Sequence, residues 1–134
     1  MREIVWVLDE VVLAVHDEQL AEHGGLSGIR DQGAVESALA RPRNLAAYEA
    51  CDDPARLAAA YAYGTVKNHG FADGNMRTAL VIADLFLMLN GYELTSSPAD
   101  NVLTILGVAG GTISEEELTV WIRENIKPLN NEKT

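Results

Sequence analysis

Between Thr78 and Leu89 the chain reads TALVIADLFLML, apolar on almost every side of a helix, with Asp84 its only charge. A helix that is hydrophobic all round needs neighbours all round, so this segment predicts the centre of a helical bundle. Gly91 supplies the stop. Immediately before it lies a polar loop, His69-Gly-Phe-Ala-Asp-Gly-Asn-Met-Arg77, crowded with side chains that do chemistry. A loop on the N-terminal end of a buried helix is a place for an anion, because the first backbone N–H groups there have no helical partner.

The flanking segments supply the rest of the bundle. Ile4–Leu8 reads as a short strand or a lead-in. Asp9 is the expected N-cap of a helix reaching Glu22 or His23, with Val11, Val12, Ala14, Val15, Leu20 and Ala21 as its stripe. The glycine-rich stretch Gly24 to Asp31 follows as a connecting loop. Asp31 caps a second helix through Val35, Ala38 and Leu39, which Pro42 is expected to end. Residues 44–52 read as a helical turn or loop. Asp53-Pro54 starts a third helix, running to about Asn68. Its small residues would let neighbouring helices come close. Beyond the central segment, Tyr92-Glu-Leu is short and extended. Pro98 opens a helix with Val102, Leu103, Ile105, Leu106 and Val108 inward. Ser114 and Glu117 form a capping box for a last helix burying Leu118, Trp121, Ile122 and Ile126, with a polar tail after Pro128. This is an all-α reading: one domain over residues 1–134, a compact bundle of about six helices.

Charge and cysteine content exclude several functions. A formal net charge of −10 argues against binding nucleic acid through its phosphates. The single cysteine, Cys51, cannot form an internal disulfide, which suits a reducing compartment. No signal-peptide pattern and no run of membrane-spanning length is found, so the expected location is the cytoplasm. His16 and His23 lack the partners of a zinc site and read as surface residues.

Within the polar loop, Arg77 is out of place. A cation in the first turn of a helix opposes the macrodipole, at about 0.3–1 kcal/mol. A bound phosphate reverses that sign, accepting from the free N–H groups and pairing with the guanidinium. Gly74 lets the backbone approach the ligand. Asn75 caps the helix or holds a phosphate oxygen. Asp73 beside a phosphate asks for a cation between them, and Mg²⁺ is commonly held by one or two carboxylates plus substrate phosphates. His69 stands where it can take a proton from an incoming hydroxyl. Phe71 reads as an anchor packed into the core. The plainer alternative leaves Asn75 as a cap, Arg77 paired with an acid, Asp73 as a turn residue and His69 as a dipole partner.

The same nine residues resemble the signature of the Fic/Doc superfamily, His-x-Phe-x-(Asp/Glu)-(Gly/Ala)-Asn-(Lys/Gly)-Arg. The segments His23–Asp31, Glu36–Pro42, Thr78–Leu80 and Leu89–Tyr92 are similar to the death-on-curing (Doc) toxin branch, so the likeness spans nearly the whole chain. It implies the helical Fic fold. It also implies a toxin that transfers phosphate from ATP to a threonine of elongation factor Tu and arrests translation. By motif position, His69 would be the base, Asp73 would help bind Mg²⁺, and Gly74, Asn75, Met76 and Arg77 would surround the nucleotide phosphates. A Phd-like antitoxin is the implied partner, with the helix from Asp9 and the Gly24–Asp31 loop as its expected groove. One position departs: Met76 stands where Doc proteins usually carry lysine and AMP-transferring Fic proteins glycine. Weakened or lost transfer, AMP transfer, and a catalytically silent antitoxin-binding module are the alternatives this leaves open.

Overall fold

The computed structural model describes residues 3–129. Six helices and two short strands follow in order: α1 (Asp9–His23), α2 (Gln32–Glu49), α3 (Pro54–Asn68), α4 (Asn75–Leu89), β1 (Tyr92–Leu94), α5 (Pro98–Gly110), α6 (Glu115–Glu124) and β2 (Ile126–Pro128). The helical bundle is as expected, with one addition. β1 and β2 pair antiparallel, Leu94 opposite Ile126, so the last apolar residue of the expected sixth helix belongs to a strand.

The centre of the bundle is α3, not α4. Helix α3 buries ten of its residues, from Ala55 to Val66, and packs against α2, α4, α5 and α6. Its alanines and Gly64 make this possible: a Cβ at Gly64 would stand 3.3 Å from the Ala38 backbone on α2. Helix α4 buries Thr78, Ala79, Ile82, Ala83, Phe86 and Leu87, while Met88 and Leu89 remain exposed. Small residues decide which helix is surrounded, because they set how closely neighbours approach; hydrophobicity alone ranks the two wrongly. Asp84 on α4 is half-buried, and burial, with Glu93 nearby, pushes its carboxyl above the usual range.

The core between α1, α3 and α4 is built on Tyr61 and Phe86, both fully buried, with ring centroids 5.2 Å apart and Trp6 against them. The Tyr61 hydroxyl accepts from the Val7 N–H at 3.2 Å, which ties the irregular lead-in segment to α3; Ile4–Leu8 forms no strand. Burial raises the Tyr61 pKa, so the phenol stays protonated. Tyr61→Phe strands that buried N–H and is expected to cost about 1–3 kcal/mol, read as a lower midpoint in urea denaturation with an unchanged slope.

Several boundaries moved. Pro42 does not end α2; it sits buried inside a helix that continues to Glu49, so residues 44–49 are helical. Proline removes its hydrogen bond to the carbonyl four residues back and its ring crowds that carbonyl, but packing of α2 on α3 carries the helix through. Asp9 is the first residue of α1, with Leu8 as cap and no side-chain cap bond. The caps at Asp31, Asp53 and Ser114 form as expected. On α5, Thr104, Ile105 and Val108 face inward, whereas Val102, Leu103 and Leu106 are exposed. Glu115 does more than complement its helix dipole: it accepts from Arg41 and Arg56, joining α6 to α2 and α3. Among the described residues, no helix is long and apolar enough to cross a membrane.

Candidate active site

Helix α3 ends at Asn68, and His69 caps it in the left-handed conformation, with φ 51°. That turn sends the chain straight into the loop leading to α4. Its side chain is exposed, while its carbonyl accepts from Arg30 Nε at 2.8 Å. Gly74 caps α4 with φ 77°, a backbone geometry that L side chains rarely adopt. The first bond inside α4 runs from the Thr78 N–H to the Gly74 carbonyl at 3.0 Å. The amides of Asn75, Met76 and Arg77 therefore have no acceptor in the preceding turn.

The loop between these caps is held from both sides. Phe71 is buried against the core, as expected of an anchor. Asn75 neither caps α4 nor stands free. Its Oδ1 accepts from the Phe71 N–H and its Nδ2 donates to the Phe71 carbonyl, both at 3.1 Å, so the side chain folds the loop back on itself. Its contribution toward an anion is thus its main-chain N–H. The Gly24–Asp31 stretch is more than a connector. Arg30 and Asp31 N–H groups donate to the Gly70 carbonyl, Ala72 N–H donates to the Gly28 carbonyl, and Ile29 forms an antiparallel bridge with Phe71.

His16 is the residue that sequence reasoning misplaced. It is buried on α1, at 3% exposure, stacked on the Phe71 ring with centroids 3.9 Å apart and planes 13° from parallel. The buried residues of α1 are Val12, His16 and Gln19, a spacing of four and three that marks one helix face. The apolar residues Ala14 and Ala21 drew attention to the wrong face, and both are exposed.

A cleft of about 310 Å³ opens beside the loop, lined among others by His69, Asp73, Gly74, Asn75, Met76 and Arg77. The six residues given a chemical role in the sequence, His69, Asp73, Gly74, Asn75, Met76 and Arg77, thus line one cavity. Asp73 Oδ1 accepts from the Gly74 N–H at 2.8 Å and Oδ2 from the Leu26 N–H at 3.3 Å. These bonds hold its carboxyl below the usual carboxylate range, with Arg77 and His16 adding smaller effects in the same direction. With a depressed pKa, the grip of Asp73 on the Leu26 loop is complete above the ordinary aspartate range and is lost as pH falls through the lowered value. Among the described residues Arg77 is paired with no acid and its buried Nε has no partner; its Nη2 donates to the Gly24 carbonyl at 3.1 Å. Met76 is partly exposed at the cleft.

Asp73 suits a hard divalent cation of the Mg²⁺ type. Its carboxylate is ionised, and each oxygen accepts one main-chain N–H, which leaves lone pairs free. Among the described residues no group of three or more His, Cys, Asp or Glu gathers to cage a metal. A cation here would draw its other ligands from phosphates and water, as Mg²⁺ does at nucleotide sites.

Comparison with known proteins adds a family match and two relatives. Residues 6–87 match the model of the Fic/DOC family. The chain is 38% identical over 114 residues to the Protein kinase doc of Escherichia phage P1, covering 85% of this chain and 90% of that protein. It is 40% identical over 76 residues to the Toxin Doc of Mycolicibacterium smegmatis, covering 54% of this chain and 57% of that one.

Proposed function

The chain is a Doc-type member of the Fic/DOC family, and on that footing we propose that it is a toxin kinase, transferring phosphate from ATP to a hydroxyl of a translation factor. Elongation factor Tu is the proposed target and arrested translation the consequence. The observation that carries the reading is the cleft: an exposed imidazole, an ionised carboxylate, three unpaired helix amides and a guanidinium without an acid face one cavity. Its relatives' names, a protein kinase and a toxin, support the same class.

In this reading the phosphates of ATP lie on the N-terminus of α4. They accept from the free amides of Asn75, Met76 and Arg77 and from the Arg77 guanidinium, whose buried Nε gains the acceptor it lacks. Mg²⁺ held beside Asp73 would supply charge neutralisation at the phosphates. His69 takes the proton from the target hydroxyl as its oxygen bonds to the γ-phosphorus. The bond from that phosphorus to the β–γ bridging oxygen breaks, and ADP leaves with the electron pair. The exposed position of His69 at the end of α3 leaves room for a macromolecular hydroxyl to approach.

A Phd-like antitoxin is the proposed partner, lying along α1 and the Gly24–Asp31 loop. That loop is exposed throughout and bonded to the loop that lines the cleft, so a segment laid over it would lie beside the cleft. Cytoplasmic action follows from such a target.

Met76 removes a cation from the phosphate site. Met76→Lys is expected to raise the rate of phosphotransfer about tenfold, the scale of one charge-assisted hydrogen bond. An unchanged rate in the folded variant would count against a phosphate lying there. Calorimetric titration with ATP and Mg²⁺ separates the enzyme from a silent antitoxin-binding module: the enzyme binds nucleotide, the module does not.

A further inference from the structure

We infer that His16 is a positioning residue: a latch that holds the Asp73–Gly74 peptide so that its N–H, and not its carbonyl, faces the cleft. The imidazole Nε2 lies 2.8 Å from the Asp73 main-chain oxygen. A carbonyl only accepts, so Nε2 carries the proton and donates. In a trans peptide the C=O and N–H point in opposite directions, and no peptide of the described chain is cis. Drawing the Asp73 carbonyl toward α1 therefore turns the Gly74 N–H the other way, onto the Asp73 carboxylate at the cleft.

Without the latch, the hydrogen bond from the Gly74 N–H to the Asp73 carboxylate is what remains to hold this peptide against a flip. Gly74 has φ 77° and ψ 15°, the values of the third residue of a type II turn. Rotating the preceding peptide by about half a turn converts such a turn to type I, and glycine accepts the negative φ that results. The flipped state would present a carbonyl oxygen where phosphate oxygens are to be bound, and would take from Asp73 the N–H that most depresses its pKa. His16 is placed to prevent this. It is buried, its ring is fixed face to face on Phe71, and its Cδ2 and Nε2 stand 3.7 Å from where a Cβ on Gly74 would be. One imidazole on α1 thus touches two residues of the loop, Phe71 and Asp73, and stands beside the third, Gly74.

The consequence for nucleotide binding rests on the phosphoryl-transfer reading; the latch does not. Two variants separate the hydrogen bond from the stacking. His16→Phe keeps an aromatic ring on Phe71 and loses the donor. His16→Gln keeps an N–H donor and loses the ring. In ¹H–¹⁵N spectra of the full chain, with folding checked by circular dichroism, the Gly74 amide is expected to shift or broaden in His16→Phe. It should stay near its wild-type position in His16→Gln. The Kd for MgATP should follow, weakened about tenfold in the first and within about threefold in the second. A wild-type Gly74 resonance in folded His16→Phe would overturn the latch, and so would equal damage in both variants, which marks packing alone. If wild-type protein binds no MgATP while the Gly74 resonance responds as described, the latch stands and the phosphoryl-transfer reading fails.

Discussion

Replacing His69 by asparagine will lower phosphotransfer to the protein substrate by about 10²–10⁴-fold, the usual contribution of a positioned general base. The choice of asparagine matters. His69 has φ 51°, and asparagine tolerates the left-handed region better than alanine does, so the backbone turn that opens the loop is kept. The Kd for MgATP should stay within about twofold, because the proposed role of His69 is toward the target hydroxyl and the phosphates lie on α4. Single-turnover rates and calorimetry on the same preparation check both halves. A fall in nucleotide affinity with an unchanged transfer rate at saturation would place His69 in the nucleotide site.

Arg77→Met gives the complementary result. Its guanidinium donates to the Gly24 carbonyl and keeps a buried Nε without a partner. Methionine preserves much of the stem's packing and removes the charge. A hydrogen bond to a charged group contributes about 1.5–3 kcal/mol, so MgATP binding should weaken by about 10–150-fold. Stability should change little or rise, since an unpaired buried donor and a cation opposed to the helix dipole are both removed. Calorimetry and thermal unfolding measure the two effects. A variant that loses stability and keeps its affinity would make Arg77 a strut for the Gly24 loop.

The two variants divide the site along the lines by which the sequence made it legible. Arg77 drew attention through a local rule, since a cation in a first helical turn is unfavourable unless something answers it. Asp53-Pro54, Asp31 and the Ser114–Glu117 box were legible for the same reason, because a cap is decided within four residues. Pro42 shows the limit of such rules. Its local cost is real, yet tertiary packing on α3 outweighs it. The prominence given to α4 failed in a similar way: hydrophobicity measures what a helix would bury, while Ala and Gly determine what can come close enough to bury it.

His16 and Asn75 were misread because their partners are distant or unexpected. His16 meets Asp73 across 57 positions, and no local pattern announces that contact beyond its place on the Val12–Gln19 face. Asn75 sits where a cap is expected and instead binds both backbone groups of Phe71. The pairing of residues 28–31 with the polar loop after α3 is equally non-local. Chemistry-bearing residues of the loop were visible in sequence; the residues that hold them in place were not.

On the proposed reading, this cleft transfers phosphate to a translation factor. Purified protein incubated with ATP, Mg²⁺ and elongation factor Tu, read by intact mass, tests it most directly. The factor should gain about 80 Da, the mass of one phosphoryl group, and the gain should vanish with His69→Asn. A gain of about 329 Da, the mass of an AMP group, would contradict it, as would an unmodified factor after incubation with the Met76→Lys protein shown to be folded and to bind nucleotide.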